Sequence, residues 1–262
     1  MNMNLRILLS FALTSGTLPA WAGGMGSGEF PAKGLRSVEI RSEIATITVS
    51  ASSGPAVKVE VIKDDPRYCR IKSGVTGSKF RLEAENIGEG GGEGRNCQAV
   101  ISIHAPAGLA LDLENRMGGV SVNGLSGRVN IDSRMGPVDI SGLTGDVKIA
   151  AKMGPVSGDA CSADIDVNAS MGRVALSGLC GSVKVEAGQG SVALDWKSVP
   201  AKGSAEVRSR MGGVKLGFPA GSELDLDLKK GMGRVRSEFE DKAGAFPVSV
   251  KSGMGGIEVV EQ

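Results

Sequence analysis

Thioether sulfur is the most regularly spaced chemistry in this chain. Met117, Met135, Met153 and Met171 follow one another at 18-residue steps, Gln189 holds the next place, and Met211, Met232 and Met254 come after at steps of 22, 21 and 22. Thioethers are soft ligands that suit Cu(I), so a column of them is a candidate copper ladder over Met117, Met135, Met153 and Met171. The competing reading is a stacked apolar corner that seals the edge of a core, a task suited to methionine's adaptable side chain. A metal site needs ligands that converge, and a straight ladder spaces its sulfurs too widely. The expectation is therefore that no metal or other cofactor is held. The residue before each Met is often basic (Arg116, Arg134, Lys152, Arg210), a stripe interrupted by Ser170 and Gly188. It suits anionic headgroups or polysaccharide; ordinary solvation is the plainer account in a chain of balanced charge.

Catalytic constellations are harder to assemble. Some β-helices cleave polysaccharides with converging carboxylates, but Asp112, Asp132, Asp139, Asp164 and Asp166 scatter over alternating strand positions that read as a solvated face. The single histidine, His104, does not support a Ser-His-Asp triad. No phosphate loop runs from a strand into a helix. The expectation is a protein without catalytic residues.

The segments that must position these residues begin with a leader. Arg6, the apolar run Ile7–Leu13, Gly16, Pro19 and Ala20-Trp21-Ala22 read as a signal peptide over 1–22, cleaved after Ala22 and followed by a flexible leader over 23–36. Removing Arg6 leaves 30 − 1 = 29 basic against 29 acidic residues. That balance excludes the basic footprint of a nucleic-acid binder, and no further apolar run reaches membrane length. Four cysteines in an exported chain read as two disulfides; spacing favours Cys69–Cys97 and Cys161–Cys180 and leaves the other pairings open. One rung up and one residue along places the second pair roughly 5.8 Å apart at Cα.

With Met as position 1, position 4 is Val120, Val138, Val156, Val174, Val192, Val214, Val235 and Ile257, and position 6 is mostly apolar, with Gly158 and Ser237 the exceptions. A short strand thus starts after each Met-Gly, and a second strand ends before the next, carrying inward pairs from Leu111/Leu113 to Val248/Val250. Between the two lies Gly-Leu-x-Gly, as in 124–127, 142–145 and 178–181, whose leucine turns into the core. All added length falls at this corner, in residues 195–203, 218–223 and 238–246. One unit buries nothing alone. The pattern predicts an all-β parallel β-helix of 18–22-residue rungs over 99–262, and the crossover preference of parallel strands favours a right-handed coil. Trp196, the one tryptophan beyond the leader, is either a contact or a plug of the widened corner.

Residues 37–98 hold period-two strands and the glycine-glutamate segment 88–94, and read as a β cap on the solenoid. The rung from Met254 to Val259 reads as the open last rung, a template for strand addition and end-to-end self-association. The strand pairs of Ser37–Val61, the stretch Ile101-Ser102-Ile103-His104-Ala105-Pro106-Ala107-Gly108 and the repeated Gly-x-Val-x-Val and Gly-Leu-x-Gly-x-Val resemble the putative-adhesin family of bacterial β-strand-repeat proteins over about residues 35–262. Met before each glycine departs from that family, which more often has a small polar residue there. The resemblance implies a β-solenoid and defines no catalytic residues.

The functional expectation is an exported, non-enzymatic binding or structural module of the bacterial envelope, in the periplasm or at the cell surface, with a glycan or protein ligand. Its most specific contacts are expected on the long corners. Two alternatives stand beside it: a periplasmic copper- or anion-binding protein using the Met and basic columns, and a self-assembling envelope scaffold.

Overall fold

The computed structural model describes residues 27–88, 97–162 and 164–262. The signal peptide expected over 1–22, and residues 89–94 of the glycine-glutamate segment, lie outside the described residues.

The described chain is all strand, turn and loop. It opens with β1 (Gly28–Pro31), β2 (Ser37–Ser52), β3 (Ala56–Lys63), β4 (Cys69–Thr76), β5 (Lys79–Asn86) and β6 (Ala99–Pro106). Strands then alternate between two sheets: β7 (Ala110–Met117), β8 (Val120–Asn123), β9 (Val129–Met135), β10 (Val138–Leu143), β11 (Val147–Met153), β12 (Val156–Ala160), β13 (Asp164–Met171) and β14 (Val174–Leu179). The series continues with β15 (Ser182–Gln189), β16 (Val192–Trp196), β17 (Ala205–Met211), β18 (Val214–Phe218), β19 (Leu224–Met232), β20 (Val235–Ser237), β21 (Phe246–Met254) and β22 (Ile257–Glu261).

Each rung is one odd-numbered strand, the Met-Gly corner and one even-numbered strand, and equivalent strands pair in parallel between rungs. Val147 lies beside Val129 and Ile165, and Val138 beside Val120 and Val156. The inward residues of the two sheets meet and exclude water. Val129, Ile131, Val147, Ile149, Val167 and Val185 are buried, as are the corner leucines Leu125, Leu143 and Leu179. Burial of one such side chain is worth about 1.5–3 kcal/mol, which a rung gains only by stacking. This is the parallel β-helix expected from the repeat.

Both ends break the sequence order. β2 runs through both sheets: its first half lies between β5 and β7, and its second half between β6 and β8. At the far end β17 and β18 pair with β21 and β22, not with β19 and β20. The pair β19–β20 stacks outside β21–β22. The rung at Met254–Val259 is therefore not the open one, a correction to the sequence expectation. Its inner residues Val248, Val250, Ile257 and Val259 are buried, whereas Val235 of β20 is 39% exposed. The ordering follows from side chains: Ser237 occupies the place that Val259 fills one rung in. Enclosing a hydroxyl there without a partner costs about 1–3 kcal/mol, so the less apolar rung takes the end.

At the opposite end the pairings turn antiparallel: β1 with β3, β3 with β6, and β4 with β5. Gly28–Pro31 lie in the stretch expected to be flexible leader, yet they pair with β3, and the Phe30 ring lies 5.0 Å from that of Phe80. The edge groups of β3 take backbone partners there, and an aromatic side chain closes the core.

Candidate functional site

The constant corner carries the methionines. Met117, Met135, Met153, Met171, Gln189, Met211, Met254 and Met232 form one in-register column along the solenoid. Their side chains stand in solvent: the methionines are 38–45% exposed along the stack and Met232, on the outer rung, 65%. The column thus does not seal the core, contrary to the plainer sequence reading. The seal is made two residues earlier by small inward side chains, Asn115, Ser133, Ala151, Ala169, Ala187, Ser209 and Ser252, all buried. Several of these serve the turn itself: Asn115 Nδ2 donates to the carbonyls of Ala45 and Gly118, and Ser209 Oγ donates to that of Gly212.

The glycine after each Met has a separate cause. Its φ lies between 115° and 144° in the eight corners from Gly118 to Gly255. A Cβ there would also sit 2.0–2.3 Å from a carbonyl oxygen of the neighbouring rung. Positive φ and lack of space both demand glycine, and neither says anything about the methionine. Of the basic residues beside the column, Arg116 pairs with Glu43 at 3.1 Å. Arg134, Lys152 and Arg210 have no carboxylate partner among the described residues. The corner is thus a ridge of exposed thioethers flanked by cations.

The variable corner is closed. Trp196 is 1% exposed, so it is a plug and not the surface contact weighed from sequence. Its Nε1–H donates to the Gly181 carbonyl at 3.2 Å, and its ring stacks on Phe218 with centroids 4.6 Å apart. Phe246 packs edge-on against both rings. The wider corner is filled by aromatic volume that the 18-residue rungs have no room for. Loop residues 197–201, 203, 219–223, 244 and 245, with Phe246 and Pro247 at the start of β21, line a shallow groove of about 560 Å³ over this plug.

The remaining candidates do not converge. Asp112, Asp132 and Asp164 face solvent on one sheet and Asp139 on the other, with Asp166 half-buried. Among the described residues no group of three or more His, Cys, Asp or Glu is placed to hold a metal ion. His104 Nε2 lies 3.3 Å from the Ser102 hydroxyl. All four cysteines are bridged, Cys69 to Cys97 and Cys161 to Cys180. The Cα separation of the second pair is 4.8 Å, shorter than one rung up and one residue along. Asp159 stands opposite Ser177, and an extra residue at Gly178 (φ 68°) lets Cys180 sit directly over Cys161.

Fold and edges together define a two-sheet parallel β-solenoid that presents straight columns of like residues. Several solved structures are similar to this chain. One from Bacteroides fragilis, described as a putative adhesin, matches with a TM-score of 0.53 and 14% identity over 89% of this chain and 96% of its own. A putative cell adhesion protein from Clostridium sporogenes matches at 0.33 and 13% over 90% and 100%. A putative lipid binding protein from Parabacteroides distasonis matches at 0.37 and 12% over 91% and 98%. At 14% identity the likeness to the Bacteroides fragilis structure is one of fold. No family model matches the chain, and no curated protein matches it. No helix among the described residues is long and apolar enough to cross a membrane.

Proposed function

We propose that this protein is an exported, non-enzymatic binding module of the bacterial envelope, adhesin-like in mode, which makes contact through its methionine ridge. The observation that carries this reading is the ridge itself. Contiguous exposed apolar side chains mark interaction sites, and here they recur on rung after rung beside the unpaired cations Arg134, Lys152 and Arg210. Methionine adapts to varied partners, and flanking cations add attraction to anionic surfaces. Export is supported by the leader at 1–22 and by two disulfides, which persist in oxidising compartments. The solved relative from Bacteroides fragilis, described as a putative adhesin, fits the same mode. The contact surface is thereby moved from the variable corner, where Trp196 is buried, to the constant one. A copper ladder is disfavoured because cations line the thioethers and would repel a metal cation.

The test is whole-cell and glycan-array binding by the chain from Gly23 onward, wild type against Met117→Ser/Met135→Ser/Met153→Ser/Met171→Ser. Loss of binding with unchanged thermal unfolding supports the ridge. Binding that survives the quadruple change places the contact elsewhere.

A second reading, end-to-end self-association, draws on the outer rung. Leu226 and Leu228 are only partly buried there and Val235 is exposed. Open strand edges recruit further strands. Light scattering over a concentration series decides it; a strict monomer at high concentration removes it.

A further inference from the structure

We propose that the sheet face beside the methionine ridge, at the β19 end, is a binding site for a linear polyanion, with an acidic glycan chain as the ligand class. The inference rests on the binding-module reading for the kind of ligand and on separate residues for the site.

A groove of about 840 Å³ opens across β13, β15, β17, β21 and β19, with Met171 and Met211 among its lining residues. Gly188 and Gly253 also line it, at the column position that Arg116, Arg134 and Lys152 occupy on other rungs. A Cβ at Gly188 would lie 2.4 Å from the Ser170 carbonyl oxygen, and one at Gly253 2.6 Å from that of Arg210. No side chain fits at either place, so the groove keeps its depth. The stripe's interruption, which looks like a defect in sequence, is what opens the site.

Cations gather around it. Arg208, Lys251 and Lys229 stand directly opposite one another on adjacent strands, an arrangement of like charges that destabilises an unliganded sheet. Arg208 is balanced by Glu186 and Glu206, and Lys229 by Asp227. Lys251, in the middle, has no carboxylate partner among the described residues, nor have Arg210 and Lys230. Glu186 is the one carboxylate in the lining. The same column runs through Glu83, Arg41, Glu114, Asp132, Ala150, Asn168 and Glu186 before it becomes wholly basic at Arg208. A chain with balanced charge thus carries a segregated face.

The geometry also selects the ligand. Adjacent strands are about 4.8 Å apart, so the cations repeat along the solenoid axis at that step. A chain bearing anionic groups at short intervals meets them in succession, whereas a lone phosphate meets one or two. The groove is lined by no Phe, Tyr or Trp, so it lacks the stacking platforms that hold single-stranded nucleic acid. A concave floor of glycine backbone does not admit a bilayer surface.

Calorimetry with the chain from Gly23 onward tests this, using an oligogalacturonate, a heparin-derived hexasaccharide, inorganic phosphate, single-stranded DNA and vesicles of phosphatidylcholine with phosphatidylglycerol. The acidic oligosaccharides are expected to bind, and to weaken as salt rises from about 50 to about 300 mM. Arg210→Gln/Lys230→Gln/Lys251→Gln should lose about tenfold in affinity. Lys251→Arg should bind as wild type, and so should Lys63→Gln at the far end of the solenoid. The single Lys251→Gln change serves if the triple variant melts early. The proposal is overturned if neither oligosaccharide binds, if the triple change leaves affinity unaltered, or if phosphate, DNA or vesicles bind as tightly. Cell binding without oligosaccharide binding would sink the groove and leave the binding-module reading standing; loss of both would sink both.

Discussion

Gly154 presses its backbone against the carbonyl of Gly136: a Cβ at residue 154 would lie 2.0 Å from that oxygen, at a φ of 139°. The neighbouring Met153 is 43% exposed. Two adjacent residues of one repeated dipeptide therefore have unrelated reasons to be there. Gly154→Ala is expected to cost about 3 kcal/mol or more, since it combines backbone strain with a steric clash. Met153→Ser should stay within about 0.5 kcal/mol of wild type, as exposed positions do. Urea unfolding of the two variants measures the difference; equal costs would mean that the methionine has a structural role after all.

The small inward column offers a gain. Ser133 Oγ is buried with no hydrogen-bond partner among the described residues, and Ala151 stands beside it in register on the next rung. Ser133→Ala should raise stability by about 1 kcal/mol, by removing an unsatisfied hydroxyl. A lower melting temperature in calorimetry would contradict this.

The order of the outer rungs is open to a direct measurement. Ile257 is 1% exposed and Val235, at the same place in its rung, is 39% exposed. Ile257→Ala should cost about 2–5 kcal/mol and Val235→Ala less than about 1 kcal/mol. A stack built in strict chain order would give the reverse ranking.

Cys161 and Cys180 tie two adjacent rungs at the glycine corner with a Cα separation of 4.8 Å. Replacing both with Ala should lower stability by about 2–4 kcal/mol. Denaturant unfolding of oxidised wild type against the double variant checks it, and no change in midpoint would mean that the stack alone holds this corner.

Most of the architecture was legible in the chain because a fixed period identifies equivalent residues. Alignment on Met-Gly gave the inward valines, the inward corner leucines and the edge that absorbs all extra length. Spacing favoured both disulfides without excluding other pairings, and the bulge at Gly178 that sets the second one over its partner carried no signal. Equivalence is not adjacency, however, and so the rung order stayed hidden. Ser237, at a place held by Val122, Ile140 or Leu176 elsewhere, was the one signal that its rung belonged outside. Trp196 was undecidable because its burial depends on Phe218 and Phe246, which approach it only once three long corners stack. The basic groove escaped because balanced totals conceal columns. Arg208, Lys229 and Lys251 each stand three residues before their Met and so share one column, and the exchange of β19 and β21 puts Lys251, the one with no carboxylate partner among the described residues, in the middle.

That exchange bears on how the chain is made. A solenoid in strict order can add each rung as it leaves the ribosome, each one templating the next. Here residues 224–237 are synthesised before residues 246–261 but must end up outside them. β17–β18 cannot accept β19–β20 as a permanent neighbour, since the later strands take that place. Growth from one end in chain order therefore stops at β18, and β19–β20 gains its place only once β21–β22 has docked. Residues 37–52, enclosed between β5–β6 and β7–β8, impose the same condition at the start. A simple linear repeat thus acquires a defined beginning and finish, and its length is set by how its outermost segments interleave.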